Sequence, residues 1–283
     1  MQPEISNEPV DFLATRLPRE AVTAALPDDL KPDDDPVWLY AGPERQALVL
    51  ARGEATGELR LRYLPIAHLT QDANGAFHFD RIDWTTGLPL RMFEDPRLEV
   101  PGSDKVSWLH EWHTDSEWLR ALYKTKYSNG LIGLHEQFTQ FVAPGTDADA
   151  PGISEDERLL RLLRRKERRL TETDLQIFAN NHWNFDVRGF NPGGNHGSFL
   201  RVSTHATFML AGGEQTRIPR GLAVTEPYDG LSVVPTILAL SGDLQPNNDP
   251  TDSLAKRGFR KFPGRVVSEI AGPNFSVHTG PAQ

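Results

Sequence analysis

Residues 58–66 read "ELRLRYLPI". Positions 59–65 alternate apolar and polar side chains, the period-two pattern of a strand with two unlike faces. Two runs before it, "VWLYA" at 37–41 and "QALVLAR" at 46–52, are also strand-like. After it, "DANG" at 72–75 is a turn signal, and "AFHFDRIDW" at 76–84 reads as the returning strand. Region 36–84 is therefore expected to be an antiparallel β-meander.

The chain has 283 residues, room for one large domain or two modest ones. With Gly 23 and Pro 22 it reads as loop-rich, without repeats or low-complexity tracts. A net charge of -9 argues against a nucleic-acid duplex as partner. The chain contains no cysteine, which excludes disulfides, thiol nucleophiles and cysteine metal sites. Any transition-metal site must use His, Asp, Glu or hydroxyl groups. The N-terminal stretch "MQPEISNEPVDFLATRLPRE" lacks the basic start and apolar run of a signal peptide. No stretch approaches the ~20 apolar residues of a membrane span. The chain reads as soluble, and composition leaves its compartment open.

Residues 85–102 carry three prolines and read as loop. Thr114 and Glu117 form a capping-box pattern, followed by an apolar stripe of Trp118, Leu119, Leu122 and Tyr123. "SNG" at 128–130 is expected to end that helix, and "LIGLHEQF" at 131–138 to form a short one. "APGTDADAPGI" at 143–153 reads as an exposed loop or linker. Ser154 and Glu157 open a second helix, with leucines 159, 160, 162 and 163 expected to form its buried side. Its acidic start and basic end suit the helix dipole, and its Arg/Lys cluster reads as a solvated face. "ATFMLAGG" at 206–213 is expected to be a buried central strand. "YDGLSVVPTILALSG" at 228–242 is expected to be a helix, with Pro235 near its first turn and Gly242 past its end. Strand, connection and helix in that order make an α/β signature.

No P-loop and no Gly-x-Ser-x-Gly elbow is present. Among nine histidines, His110 and His113 in "WLHEWHTD" lack the i,i+4 spacing of a zinc-protease helix and are expected to pack between tryptophans. His135 is expected in an apolar setting, and His182, in "NNHWNFD", in a pocket wall or a packed segment. His205 falls at the mouth of the expected strand. His68, His78 and His278 have no recognisable context. His196 lies in "FNPGGNHGSF" at 190–199, where Gly193, Gly194 and Pro192 preclude a regular helix or strand. That loop is either a surface turn or a ligand loop.

Three pieces in order, "GNHGSF", "STHATFMLAGG" and "PYDGLSVVPTILALSG" followed by "PNNDPT", resemble the C-terminal part of the alkaline-phosphatase superfamily, and within it the type I phosphodiesterase/nucleotide pyrophosphatase branch. The resemblance covers about a fifth of the chain. It implies a three-layer α/β/α fold with an antiparallel strand-rich N-terminal region. It also implies a pair of divalent metals, usually zinc, with His196 as one ligand. Asn195, Ser198, His205 and His182 would stand around the site or contact a small phosphorylated substrate. The family's Asp-His-Gly triplet occurs nowhere in the sequence, and no nucleophile motif is present. The resemblance thus implies that residues 1–283 are the C-terminal portion of such a domain, active with an N-terminal half or an upstream partner chain. A sulfatase-like hydrolase and a non-catalytic binding or structural domain remain open.

Overall fold

The computed structural model describes residues 8–53, 59–100, 105–138, 151–171, 174–180, 183, 199–212, 216, 218–244 and 265–272. The chain divides into two compact units. The first comprises Met1–Glu54, Glu58–Gln140 and Glu172–Ala206, and the second Ala55–Gly57, Phe141–Thr171 and Thr207–Gln283.

The first unit is built on a seven-stranded sheet. Its strands are β1 (Val10–Arg16), β2 (Val37–Tyr40), β3 (Gln46–Arg52), β4 (Arg60–Gln71), β5 (Phe77–Arg81), β6 (His113–Thr114) and β7 (Leu175–Ala179). The order is β5-β4-β3-β2-β1-β7, with β6 also paired to β4. Every pairing is antiparallel. The expected meander over 36–84 is present as β2 to β5. Its "DANG" turn closes as expected: the Asp72 carboxylate accepts from the Asn74 and Ala76 amides, and Gly75 takes φ 85°. The chain is thus mixed α/β with an antiparallel, strand-rich N-terminal region.

The alternation in β4 sorts its side chains between two cores. Leu61 and Tyr63 join Val37, Leu39, Ala47 and Val49 on one face. Leu64 and Ile66 join Leu48 and Leu50 on the other. Three helices supply the first core: α2 (Lys105–His110), α3 (Asp115–Leu122) and α4 (Gly130–Phe138), contributing Trp108, Trp118, Leu131 and Leu134 among others. The second core is closed by Val22 of α1 (Arg19–Thr23), by Leu26, and by Leu30 at the end of a 3-10 turn. The half-buried strand expected from period two is therefore buried on both faces from Leu61 to Ala67. Residues 85–100 are mostly loop as expected, apart from a 3-10 turn at Arg91–Phe93, but Leu88, Leu90, Met92 and Phe93 turn inward and fill the first core.

The Thr114–Glu117 capping box forms in both directions and opens α3. The expected end of that helix at "SNG" is corrected. α3 stops at Leu122, because the Thr125 hydroxyl and amide both donate to the Leu122 carbonyl. Gly130 then begins α4. Gly133 is required by a close approach: a Cβ there would lie 2.5 Å from the Phe199 ring. A short helix, α6 (Arg201–Thr204), ends the described part of this unit.

In the second unit, α5 (Glu155–Thr171) starts where expected, with Ser154 Oγ accepting from the Glu157 amide. Its expected buried side is not buried: Leu159, Leu160, Leu162 and Leu163 are 40–58% exposed. An apolar stripe shows which side of a helix seeks cover, and cover itself has to come from another element. The central strand expected at 206–213 is also corrected. Residues 206–212 form no strand, and Met209 is 84% exposed. Ladder partners make a strand, and none reaches this run among the described residues. The strand–connection–helix signature therefore fails at its first member. The helix itself is present as α7 (Val233–Ser241), with Pro235 in its first turn and Gly242 at φ 82° as its cap. Thr236 ties it to the start of α8 (Ser268–Ala271): its hydroxyl donates to the Ser232 carbonyl and accepts from the Val267 amide. Arg265 stacks 4.1 Å over Tyr228, whose hydroxyl donates to Glu269. Burial and that bond push the Tyr228 hydroxyl up to about 12. Among the described residues no helix is long and apolar enough to cross a membrane.

Candidate functional site

His182, Asn195, His196 and Ser198 lie outside the described residues, as do 143–150 of the expected linker and the "PNNDPT" segment. His205 is described. It is exposed at the end of α6 rather than at the mouth of a strand, with its ring 5.9 Å from that of Tyr123. The chain following the histidine loop is anchored on the turn between α3 and α4. Phe199 packs on Phe178, the Arg201 amide donates to the Lys126 carbonyl, and Ser128 and Thr204 share a hydrogen bond.

Two buried carboxylates sit by that turn, and both are taken. Asp11 accepts from the Tyr127 hydroxyl at 2.6 Å and from Lys126 Nζ at 3.2 Å. Burial, the Asp11 charge and that bond push the Tyr127 hydroxyl far up. Asp95 accepts a two-pronged contact from Arg97 at 2.9 and 2.8 Å, and the amides of Arg97 and Lys126. Burial works to raise the Asp95 carboxyl, but these donors outweigh it and hold it below the ordinary range. The cluster fastens elements together and presents no open ligand set. Among the described residues no group of three His, Asp or Glu side chains could hold a metal ion. A metal site of the expected kind would therefore depend on residues outside the described set.

Histidines 110 and 113 play different parts. His113 is buried, stacked 3.5 Å from Trp108 and edge-on to Trp118, with Nε2 donating to the Trp108 carbonyl. The packing between tryptophans expected of both histidines is met by His113, with Trp118 as the second partner, and not by His110; Trp112 instead lies under the Arg52 guanidinium at 4.1 Å. Burial lowers the His113 pKa. His110 is exposed, and its Nε2 stands 3.7 Å from Asp83.

His110 also lines a cavity beside β4. On its outer edge β4 pairs with β6 at Arg60 and Leu61, and with β5 from Ile66 to Gln71. Between these segments no described residue pairs with Arg62–Leu64 on that edge, and Leu109 and His110 of α2 line the space beside it. The result is a cavity of about 460 Å³. Leu64, Pro65, Ile82 and Leu109 form its apolar walls, and Arg62, Arg81, Asp83 and His110 its polar groups. The volume falls in the range that takes a small organic ligand.

Arg62 is the unusual group. It is 6% exposed, and its buried Nε has no hydrogen-bond partner. Burial lowers its pKa; Arg81 and Arg52 push the same way, while Asp29 and Glu111 oppose them. Arg52 is likewise lowered by burial and by Arg60, its direct partner across the β3–β4 ladder. Asp33 and Asp29 oppose that lowering. A buried guanidinium without a paired anion carries a large desolvation cost. An oxyanion supplies what Arg62 lacks: acceptor lone pairs and a negative charge matched to the guanidinium fork.

Arg60 and Arg62 look like the solvent side of a half-buried strand. The signal that separates them is that the next two positions on the same face, Leu64 and Ile66, are apolar, which places Arg62 at the margin of a core. No protein-family model, no curated protein and no solved structure matches this chain.

Proposed function

We propose that the protein binds a small phosphorylated molecule at the open edge of β4. The observation that carries this is Arg62: a buried guanidinium, its Nε unpartnered, lining a cavity of about 460 Å³ together with Arg81 and His110. The Arg62 and Arg81 guanidinium groups suit that lining to the recognition of an anion. The apolar walls suit the organic part of a phosphomonoester. Titration calorimetry with phenyl phosphate and with inorganic phosphate tests the reading. Arg62→Met is expected to weaken binding about 10- to 100-fold, the range for hydrogen bonds to a charged group. Equal affinity in the variant and the parent sinks the proposal.

A second reading follows the resemblance: a metal-dependent phosphoester or phosphodiester hydrolase of nucleotide-pyrophosphatase type, on a three-layer α/β/α fold. It is supported by α7, a helix at the third of the resembling pieces. Here His196 holds one metal of a zinc pair. Asn195, Ser198, His205 and His182 surround it, and an N-terminal half or partner chain completes the site. A sulfatase-like hydrolase is the variant of this reading that aryl sulfate cleavage would reveal. The described residues offer no ligand set for the pair. Zinc content measured by mass spectrometry is expected to fall in His196→Ala; an unchanged content removes His196 from the ligand role.

A further inference from the structure

One strand carries an oddity close to the cavity. β4 and β5 pair as Ala67↔Asp80 and as Thr70↔His78. Two residues, His68 and Leu69, therefore oppose the single residue Phe79. This is a β-bulge, and His68 holds its first position at φ 54°. That slot is ordinarily glycine's, because a side chain there crowds the backbone. Among the described residues His68 is the one non-glycine at positive φ.

The bulge decides which face Arg81 occupies. With it, Arg81 stands opposite Ile66, on the face that Arg62 and Leu64 share. Continuing the Thr70↔His78 register without it would bring Arg81 opposite Ala67, on the other face. One arginine of the cavity thus owes its place to one irregular residue.

The His68 side chain also fastens the bulge. Its Nδ1 lies 3.0 Å from Asp80 Oδ2 and its Nε2 3.1 Å from Glu44 Oε1. Asp80 belongs to β5, and Glu44 to the turn between β2 and β3. The neighbouring Arg45 guanidinium is engaged elsewhere, donating to the Gly87 carbonyl. A neutral imidazole has one N–H and can donate to one carboxylate only. Both contacts at once require the imidazolium, and the two carboxylates, Asp80 first, raise the pKa of the ring. The ring and both carboxylates are well exposed.

Resting on the cavity reading above, the geometry points to His68 as a positioning residue: its protonated ring pins the β4 bulge to β5, holds Arg81 on the cavity face, and makes anion binding weaken as pH rises. Stabilisation from a raised pKa is complete below the ordinary value near 6.5 and is lost as pH climbs through the raised one.

Sulfate is the suitable probe, because it keeps its charge across this window while phosphate does not. His68→Asn is the suitable variant, because asparagine tolerates the left-handed backbone and carries no titrating ring. Calorimetry from pH 6 to pH 8.5 should show the parent losing about two- to fivefold more affinity than His68→Asn, the span of an exposed ion pair. His110 and its cavity contacts are common to both proteins and cancel in that comparison. Hydrogen-exchange protection of the β5 amides should fall over the same interval in the parent alone. Identical pH slopes with identical β5 protection overturn the role of His68. Absence of sulfate binding by the parent at pH 6 overturns the cavity reading instead, and the β5 protection then still decides whether His68 pins the strand.

Discussion

Arg62 and Tyr127 show how differently two buried polar residues can be used. Tyr127 is 1% exposed and its hydroxyl is committed to Asp11, with Lys126 Nζ 3.0 Å away. Tyr127→Phe keeps the ring and its edge-on contact with Phe12 but removes the donor to a buried carboxylate. It is expected to cost about 1–3 kcal/mol in urea unfolding. Arg62→Met should behave in the opposite sense for stability. It removes a buried charge whose Nε is unpartnered and leaves an apolar chain of similar reach, so stability should hold or rise while anion binding weakens. A fall in stability together with retained binding would show that Arg62 serves packing alone.

At the level of elements, the contact between α4 and the segment after the histidine loop is the most sensitive joint. Gly133→Ala illustrates the balance. Helix propensity favours alanine by about 1 kcal/mol. The added Cβ would meet the Phe199 ring at 2.5 and 2.7 Å, and overpacking costs about 1–3 kcal/mol. The clash is expected to win, giving a net loss in thermal unfolding, and Phe199→Leu should return part of it. The substitution should also disturb the chain entering α6, because Phe199 sits between Gly133 and Phe178.

For the molecule as a whole, pH is the revealing variable. His113 has a lowered pKa because burial disfavours its charged form. The unfolded chain takes up a proton near pH 6.5 and the folded chain does so only at lower pH. Stability supplied by this residue is therefore present above about pH 6.5 and declines as pH falls toward the lowered value. Asp95, also lowered, adds a second decline at more acid pH, below the ordinary carboxylate value near 3.9. Thermal unfolding of His113→Gln should lack the first decline and keep the second. An unchanged profile would show that His113 takes no part in the acid sensitivity.

Local pattern determined a good deal of this protein. Alternation and turn chemistry located the meander from β2 to β5. The Thr114–Glu117 pair located the start of α3, and Pro235 with Gly242 bracketed α7. Each of these features is settled by residues within a few positions of one another, which is why a linear reading reaches them. The buried strand expected at 206–213 and the leucine side of α5 failed for a shared reason: apolar character is local, but ladder partners and cover come from distant segments. The cavity was illegible on the same grounds. Arg62 became a buried cation only when β5 and β6 left the β4 edge open, and Arg81 joined it only because a bulge at His68 shifted the register of β4 against β5 by one residue. Sequence by itself determined where the strands of the meander lie and where α3, α5 and α7 begin. Tertiary pairing decided which charges were taken out of water together, because desolvation depends on what packs around a side chain and not on its neighbours along the chain.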